Sequence, residues 1–426
     1  MRWLCTLWKN RLLQSRLHAG VRLAAGLIKW IVVGAVVGAC GGVLGAAFHH
    51  AVTGVTAVRA AHEWLIWLLP VGAVVTTLAY HLSRTPLNVN LVLRAVRSSE
   101  RVPPLMAPLI FFSTTVTQLV GGSAGKEGAA LQMGGALGYQ VARLLRFDQS
   151  DTHMLVMCGM SALFSAVFLT PLTAAMFAIE VISVGVFYVA ALVPCLTAAL
   201  TAAAVARALG VMAAAMPSFV VPDMAIFPLV GAALVGVACA AAAILFCICI
   251  HYCSLAARTW IKNDLLRSAA GGLLLIGMTF AVGSFDYNGT GMPLIVRAVG
   301  GEASAAAFAL KMVFTAVTIA AGLRGGEIVP TMAIGATLGC TLGSLLGLDP
   351  GFCAALGLTA MFCGMVNCPI TSMFLGLELF GADAMLYIAA ACCISFVLSG
   401  NYSLYTGQKL PYSKIRAEYT NASAHD

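Results

Sequence analysis

The sequence predicts an all-α integral membrane protein, read as a single transmembrane domain over 1–426 and built from two related halves. Three observations predict it. First, about 61% of the 426 residues are hydrophobic and only 9% are charged, whereas a soluble domain runs near one-quarter charged. Second, most of the chain divides into stretches close to the roughly 20 apolar residues that a bilayer-spanning helix needs. Third, a glycine-rich motif recurs about two hundred residues on, as set out below. The composition excludes a cytosolic enzyme. It also excludes a disordered chain, which needs low hydrophobicity and high charge.

In chain order, the first apolar blocks are 23–47 and 51–80, the second interrupted by polar residues from Arg59 to Glu63. Ser83 to Pro104 is rich in Arg, Ser and Pro and reads as a loop with short interfacial elements. Close-set blocks run from Leu105 to Leu209. A stretch from Pro217 to Pro228 separates them from blocks at 229–257 and 269–285. Asp286 to Gly291 reads as a loop, and further blocks run from 303 to 399. Glycine and proline break many of these blocks. Broken helices at membrane depth are tolerated only where protein or a cavity surrounds them.

The net charge of +8 does not imply a nucleic-acid partner, because the charge sits at the chain ends. Arg2, Lys9, Arg11, Arg16 and Arg22 precede the first long apolar stretch; Lys409, Lys414 and Arg416 follow the last. Positive flanks mark cytoplasmic segments. Both termini are therefore expected in the cytoplasm of a multi-pass cell-membrane protein with an even number of crossings. The N-terminal apolar run lacks a small-residue cleavage site and is expected to be a membrane helix, not a signal peptide. Of the 14 cysteines, Cys158, Cys340, Cys363, Cys392 and Cys393 lie in apolar runs as small hydrophobes. Cys247, Cys249, His251 and Cys253 alternate and so point to different sides of a helix. No metal site and no cofactor is expected.

The repeat carries the argument further. GGSAGKEGAALQMGGALG, Gly121 to Gly138, lies on GLRGGEIVPTMAIGATLG, Gly322 to Gly339. Gly121, Gly125, Gly134, Leu137 and Gly138 fall on Gly322, Gly326, Gly335, Leu338 and Gly339. At nearly the same offset, Gly159, Ala162, Phe164, Pro171, Thr173 and Glu180 fall on Gly357, Ala360, Phe362, Pro369, Thr371 and Glu378. Two such matches in one order indicate a duplicated chain, with approximate halves 23–215 and 224–416. Halves that each cross an odd number of times are inverted. Inverted repeats with interrupted helices are a transporter architecture.

The sequence has 16 carboxylates, and four of them, Glu127, Glu180, Glu327 and Glu378, lie inside the repeated segments. A carboxylate at membrane depth is expensive and by default marks an ion or proton path. Glu180 and Glu378 match across the repeat, so a shared structural task is the alternative for that pair. Gly125-Lys126-Glu127-Gly128 precedes a helix-compatible run, and so does Gly325-Gly326-Glu327-Ile328-Val329-Pro330, with proline suited to the first helical turn. Free N–H groups and the dipole make each helix start an anion site. Two inverted starts can meet at one midplane point, forming a halide site with no metal and no full cationic side chain. An ionised Glu127 there competes with the anion, and protonation releases it, which couples protons to anions.

These residues resemble a known family. GKEGAALQ (Gly125–Gln132), GGEIVP (Gly325–Pro330) and TGQKLPYS (Thr406–Ser413) resemble, in order, three motifs of the CLC family of anion channels and proton-coupled antiporters. The resemblance runs from about Asn88 to Arg416. It implies the CLC inverted-repeat fold, halide and proton as transported partners, a homodimer in the lipid bilayer, and one pore per subunit. It implies that Glu127 is the gating glutamate, that Glu327 and Ile328 offer N–H groups to the anion beside Gly125, Lys126 and Gly128, and that Tyr412 is the pore tyrosine, with Tyr405 as competitor. Several residues depart from the pattern. The usual serine element is replaced by Pro86-Leu87-Asn88-Val89-Asn90-Leu91, where Asn88 and Asn90 are candidate amide donors. Ala129 stands where proline is usual. Val181 stands at the internal proton-transfer glutamate, which leaves Glu180 or Glu327 to carry the proton. Glu327 itself, GGSAG and Gln132-Met133-Gly134-Gly135 resemble the fluoride-exporting branch; Val329 stands where that branch has threonine. Chloride and fluoride both stay open, as does a passive chloride channel. The chain ends soon after Tyr412, with no room expected for a soluble regulatory domain. A membrane enzyme is the remote alternative. The Walker spacing needs glycine where Val120 stands and Ser or Thr where Glu127 stands, and no H-E-x-x-H or G-x-S-x-G is present.

Overall fold

The computed structural model describes residues 2–83, 91–98, 100–405, 407–416 and 418–423. The chain begins with α1 (Arg2–Ala61), a 3-10 turn (Glu63–Leu68), α2 (Leu69–Ser83), α3 (Leu91–Arg97) and α4 (Met106–Val120). Then come α5 (Glu127–Leu144), α6 (Gln149–Phe168), α7 (Pro171–Glu180) and α8 (Leu192–Ala208). After a non-helical stretch, α9 (Ile226–Trp260), α10 (Asp264–Val282), α11 (Met292–Val299) and α12 (Ala307–Ala320) follow. The last helices are α13 (Ile328–Leu346), α14 (Pro350–Val366), α15 (Pro369–Phe380) and α16 (Met385–Leu398). An antiparallel hairpin of β1 (Lys409–Tyr412) and β2 (Tyr419–Ser423) follows.

Two details differ from expectation. No break separates the first two apolar blocks near residue 48, because nothing there ends a helix; α1 runs on to Ala61 and stops at the polar residues Arg59 to Glu63. The all-α reading also misses the terminal hairpin, whose segments are too short and mixed to show a strand period.

Among the described residues, seven helical stretches are long and apolar enough to cross a bilayer, including His18–Ala61 and Ile226–Trp260. The helices α4, α7, α12, α14, α15 and α16 are apolar but shorter. Where such an end is buried, other segments have to satisfy its free backbone groups.

The repeated glycines set the packing. A Cβ on Gly134 would meet the Gly159 carbonyl oxygen at 2.2 Å, and one on Gly335 would meet that of Gly357 at 2.2 Å. α5 therefore crosses α6 backbone to backbone, and α13 crosses α14 in the same way. In each pair the second helix ends in a left-handed residue, Leu169 (φ 59) or Asn367 (φ 56). Two residues later a proline opens the next short helix, Pro171 in α7 and Pro369 in α15. Proline fits there because its missing N–H has no acceptor at a helix start. Small residues also seat α1 on α8, where a Cβ on Gly38 would meet the Ala198 carbonyl at 2.5 Å, in the small-residue manner of membrane helices.

Gly134→Ala and Gly335→Ala are each expected to cost roughly 1–3 kcal/mol through overpacking. Gly277→Ala has no atom within 4 Å of the new carbon and is expected to cost nothing. Melting temperatures in detergent check this, and equal values for all three variants would contradict the packing.

Candidate functional site

α5 starts at Glu127 and α13 at Ile328, and their starts meet head to head. Gly125 N donates to Gly326 O at 2.5 Å, and Gly326 N donates to Gly125 O at 2.7 Å, an antiparallel bridge. The contact has no space for side chains: a Cβ on Gly326 would lie 2.4 Å from Gly128 N. The first N–H groups of each helix have no intrahelical acceptor. Here they converge, with two positive dipole ends, at one buried place.

Each approach loop is braced from the other half. Ser123 N donates to Thr318 Oγ1 at 3.0 Å, and Ser123 Oγ lies 3.0 Å from Thr315 Oγ1. Arg324 N donates to Thr117 Oγ1 at 3.1 Å. Lys311, 0% exposed on α12, donates to Ser123 Oγ (2.9 Å), Tyr287 O (3.1 Å) and Gly289 O (2.8 Å). Lys311 thus braces the loop before α5 through Ser123. Sequence reading weighed only carboxylates; a lone lysine inside an apolar run is the signal that could have found Lys311. Arg324, half-buried beside the second loop, sets its guanidinium 5.2 Å from the Tyr80 ring.

The four carboxylates divide into two kinds. Glu127, 2% exposed, accepts the Lys126 N–H on Oε2 at 2.9 Å. Its carboxylate thus occupies the positive end of α5 as a free anion would. A Cβ on Gly125 would lie only 2.8 Å from that oxygen, which explains the glycine. Glu327 is also buried, at the N-cap of α13, but its side chain makes no capping hydrogen bond. Glu180 and Glu378 form a reciprocal pair. Glu180 accepts from Ile370 N (3.2 Å), Thr371 N (2.8 Å) and Thr371 Oγ1 (2.6 Å). Glu378 accepts from Leu172 N (2.9 Å), Thr173 N (2.8 Å) and Thr173 Oγ1 (2.6 Å). Glu180 at the end of α7 caps the start of α15, and Glu378 in the last turn of α15 caps the start of α7, so the two helices run antiparallel. Glu180 was a candidate proton carrier. Its three accepted bonds hold the carboxylate in place at the start of α15.

Of the two tyrosines, Tyr405 is 2% exposed and its hydroxyl has no hydrogen-bond partner, while Tyr412 is 49% exposed and packs on Tyr419 with ring centroids 5.8 Å apart. Burial and an unpartnered hydroxyl set Tyr405 apart from Tyr412. Gln408 holds this segment in place. It donates to Val181 O (3.0 Å) and Val366 O (2.9 Å) and accepts from Ser403 Oγ (2.8 Å). Asn88 and Asn90 lie outside the described residues. Cys247, Cys249, His251 and Cys253 do not group as metal ligands among the described residues.

On one side of the bridge a cavity of about 800 Å³ reaches Glu127, with Lys126, His49, Thr170 and Glu378 also on its wall. Lys126 Nζ lies 3.0 Å from His49 Nδ1. An ammonium has no lone pair, so it is the donor and this ring nitrogen is unprotonated.

A family model described as "Voltage gated chloride channel" matches residues 88–400. A protein of Pseudomonas syringae pv. tomato (strain ATCC BAA-871 / DC3000) named "Chloride/fluoride channel protein" is 34% identical over 397 residues, covering 91% of this chain and 88% of its own. The "H(+)/Cl(-) exchange transporter ClcA" of Vibrio parahaemolyticus serotype O3:K6 (strain RIMD 2210633) is 26% identical over 423 residues, covering 90% and 88%. Among solved structures, a CLC-type fluoride/proton antiporter superposes with a TM-score of 0.86 at 29% identity, covering 90% of this chain and 98% of that one. A slow cyanobacterial Cl−/H+ antiporter superposes with a TM-score of 0.73 at 18% identity, covering 87% and 94%, and shares the fold.

Two outcomes test these placements. Tyr405→Phe is expected to weaken anion binding several-fold and Tyr412→Phe to leave it unchanged, read by calorimetric titration of the purified protein; the opposite order would return the role to Tyr412. Glu180→Ala is expected to lower the melting temperature by removing a cap, at roughly 0.5–2 kcal/mol. An unchanged melting temperature would contradict the reciprocal capping.

Proposed function

The chain belongs to the voltage-gated chloride channel (CLC) family, and from that membership we propose that it exchanges halide for protons across a lipid bilayer, with Glu127 as the gate. One observation carries the proposal: the Glu127 carboxylate accepts the Lys126 N–H at the point where the two helix starts are bridged. Protonation removes the charge that holds the carboxylate there. A halide then has the N–H groups to itself, and the proton moves as the anion moves.

Fluoride is the favoured halide. Dipoles at helix starts attract any small anion, so selection comes from how closely donors replace a lost hydration shell. The head-to-head glycine contact keeps the N–H groups close. A relative named for chloride and fluoride at 34% identity and a fluoride/proton antiporter of closely similar fold support the same choice. Glu327 is the favoured inner proton carrier. It is a buried carboxylate across the bridge from Glu127 without a capping bond, whereas at the end of α7 Val181 is apolar and Glu180 is engaged by the start of α15. A passive anion channel is the second reading; Val181, apolar and fully buried, favours it.

The proposal extends to a duplicated domain with halves near 23–215 and 224–416, a homodimer with one pore per subunit, and both termini in the cytoplasm. The basic flanks and the reciprocal contacts between α7 and α15 support it.

Purified protein in liposomes is expected to release fluoride about 10-fold or more faster than chloride, a difference of about 1.4 kcal/mol. Equal or greater chloride flux would retire fluoride. Lowering the pH on the side of the Glu127 cavity is expected to raise wild-type flux, and Glu127→Gln to lose that dependence and the proton coupling. Glu327→Gln is expected to lower the proton-to-anion ratio more than anion affinity. A wild-type protein that moves anions without protons would favour the passive channel.

A further inference from the structure

Lys126 stands directly before the gate, yet its side chain does not pair with it. The Glu127 carboxylate folds back to accept the Lys126 backbone N–H at 2.9 Å. The ammonium of the same residue, on a flexible four-carbon stem, therefore has that carboxylate within reach. An ion pair is the ordinary outcome for opposite charges in a cleft of low dielectric. Among the described residues no ion pair joins these two. Lys126 Nζ donates instead to His49 Nδ1 on α1, at 3.0 Å. Both side chains are half-buried, and both residues line the cavity that reaches Glu127.

The acceptor is rigidly held. Gly45 lets α1 approach α6 so closely that a Cβ there would meet Ala166 Cβ at 2.5 Å, and His49 lies one turn further along α1. A neutral imidazole has one acceptor nitrogen, and His49 gives that nitrogen to Lys126. The other charged or titratable groups nearby are engaged elsewhere. His50 donates from Nε2 to Leu209 O at 2.9 Å. Arg297 is paired with Asp286 at 2.8 Å, and Glu378 caps α7. Around the junction, Lys311 is tied to Ser123 and two carbonyls, Arg324 lies on the Tyr80 ring, and Glu327 stands at the start of α13.

We propose that His49 is a positioning residue for the gate: by accepting Lys126 Nζ it holds the ammonium on the cavity wall and keeps it from closing an ion pair onto Glu127. The inference rests on the halide–proton exchange reading. In each cycle Glu127 has to release its N–H and take up a proton. An ammonium on its carboxylate opposes both steps, because an opposite charge favours the ionised form and a second hydrogen bond holds the group where it is. On the wall, the same charge still draws anions into the cleft. His49 thus keeps the attraction for halide and removes the lock on the gate.

The test measures halide and proton flux in proteoliposomes against the pH on the cavity side, for wild type, His49→Leu, His49→Asn, Lys126→Met and the double variant of His49→Leu with Lys126→Met. Leucine fills the space without an acceptor; the asparagine amide oxygen can stand where Nδ1 stood. In His49→Leu the pH of half-maximal flux is expected to fall by about one unit, a tenfold rise in the proton concentration required, because the released ammonium opposes protonation of the gate. His49→Asn is expected to keep the wild-type value. In the Lys126→Met background His49→Leu is expected to change nothing, since a pairwise effect vanishes when one partner is gone. A high-resolution structure of His49→Leu is expected to place Lys126 Nζ within about 4 Å of a Glu127 carboxylate oxygen, a reading independent of flux. An unchanged pH of half-maximal flux in His49→Leu overturns the proposal. So does an equal fall with and without Lys126, a fall in His49→Asn as large as in His49→Leu, or an ammonium that stays away from Glu127 in the variant structure. Wild-type vesicles that move no halide, or halide without protons, overturn the exchange reading itself, a result distinct from these.

Discussion

The structure depends on the pair of hydrogen bonds between Gly125 and Gly326. They join two helix starts whose positive ends would otherwise repel, and they do so inside a segment that lipid cannot solvate. Such an arrangement survives only if the remaining N–H groups find an acceptor. At the start of α5 the Glu127 carboxylate accepts one of them, the Lys126 N–H. Glycine at 125 and 326 leaves room for the bridge, and α12 and α4 brace the two loops from the opposite halves.

The four repeated glutamates show how environment divides one residue type into two roles. Glu180 and Glu378 each accept three hydrogen bonds from the start of the other's helix, which locks α7 and α15 together. Glu127 and Glu327 stand at helix starts themselves. Glu127 holds a single backbone N–H at 2.9 Å, a contact that a halide can replace and a proton can cancel. A group held by one exchangeable bond suits a gate; a group held by three suits a clamp.

Much of this was legible in the sequence, for physical reasons. Apolar block length and low charge mark membrane helices, and paired glycines such as Gly134 with Gly335 mark close crossings that recur. The Glu127 and Glu327 helix starts were legible because glycine before a helix-compatible run has few other uses at membrane depth. Other features depend on long-range contact. Lys311 is satisfied by Ser123 and by two carbonyls far away in the chain, so no local pattern announces it. Tyr412 matches the family motif by spacing, yet the terminal hairpin turns it outward, and Tyr405 is the buried one. Thr170 looks like an ordinary N-cap until Glu378, some two hundred residues on, is seen to have taken that task.

The central claim is that two bridged helix starts form an anion site which Glu127 occupies in place of a halide. The most direct measurement is a high-resolution structure of the Glu127→Gln variant purified in fluoride and, separately, in chloride. The account predicts density for an anion within hydrogen-bond distance of the N–H groups at the starts of α5 and α13, with the substituted side chain displaced from the Lys126 N–H. An empty junction, with the glutamine still on that N–H while the protein transports halide, would contradict it.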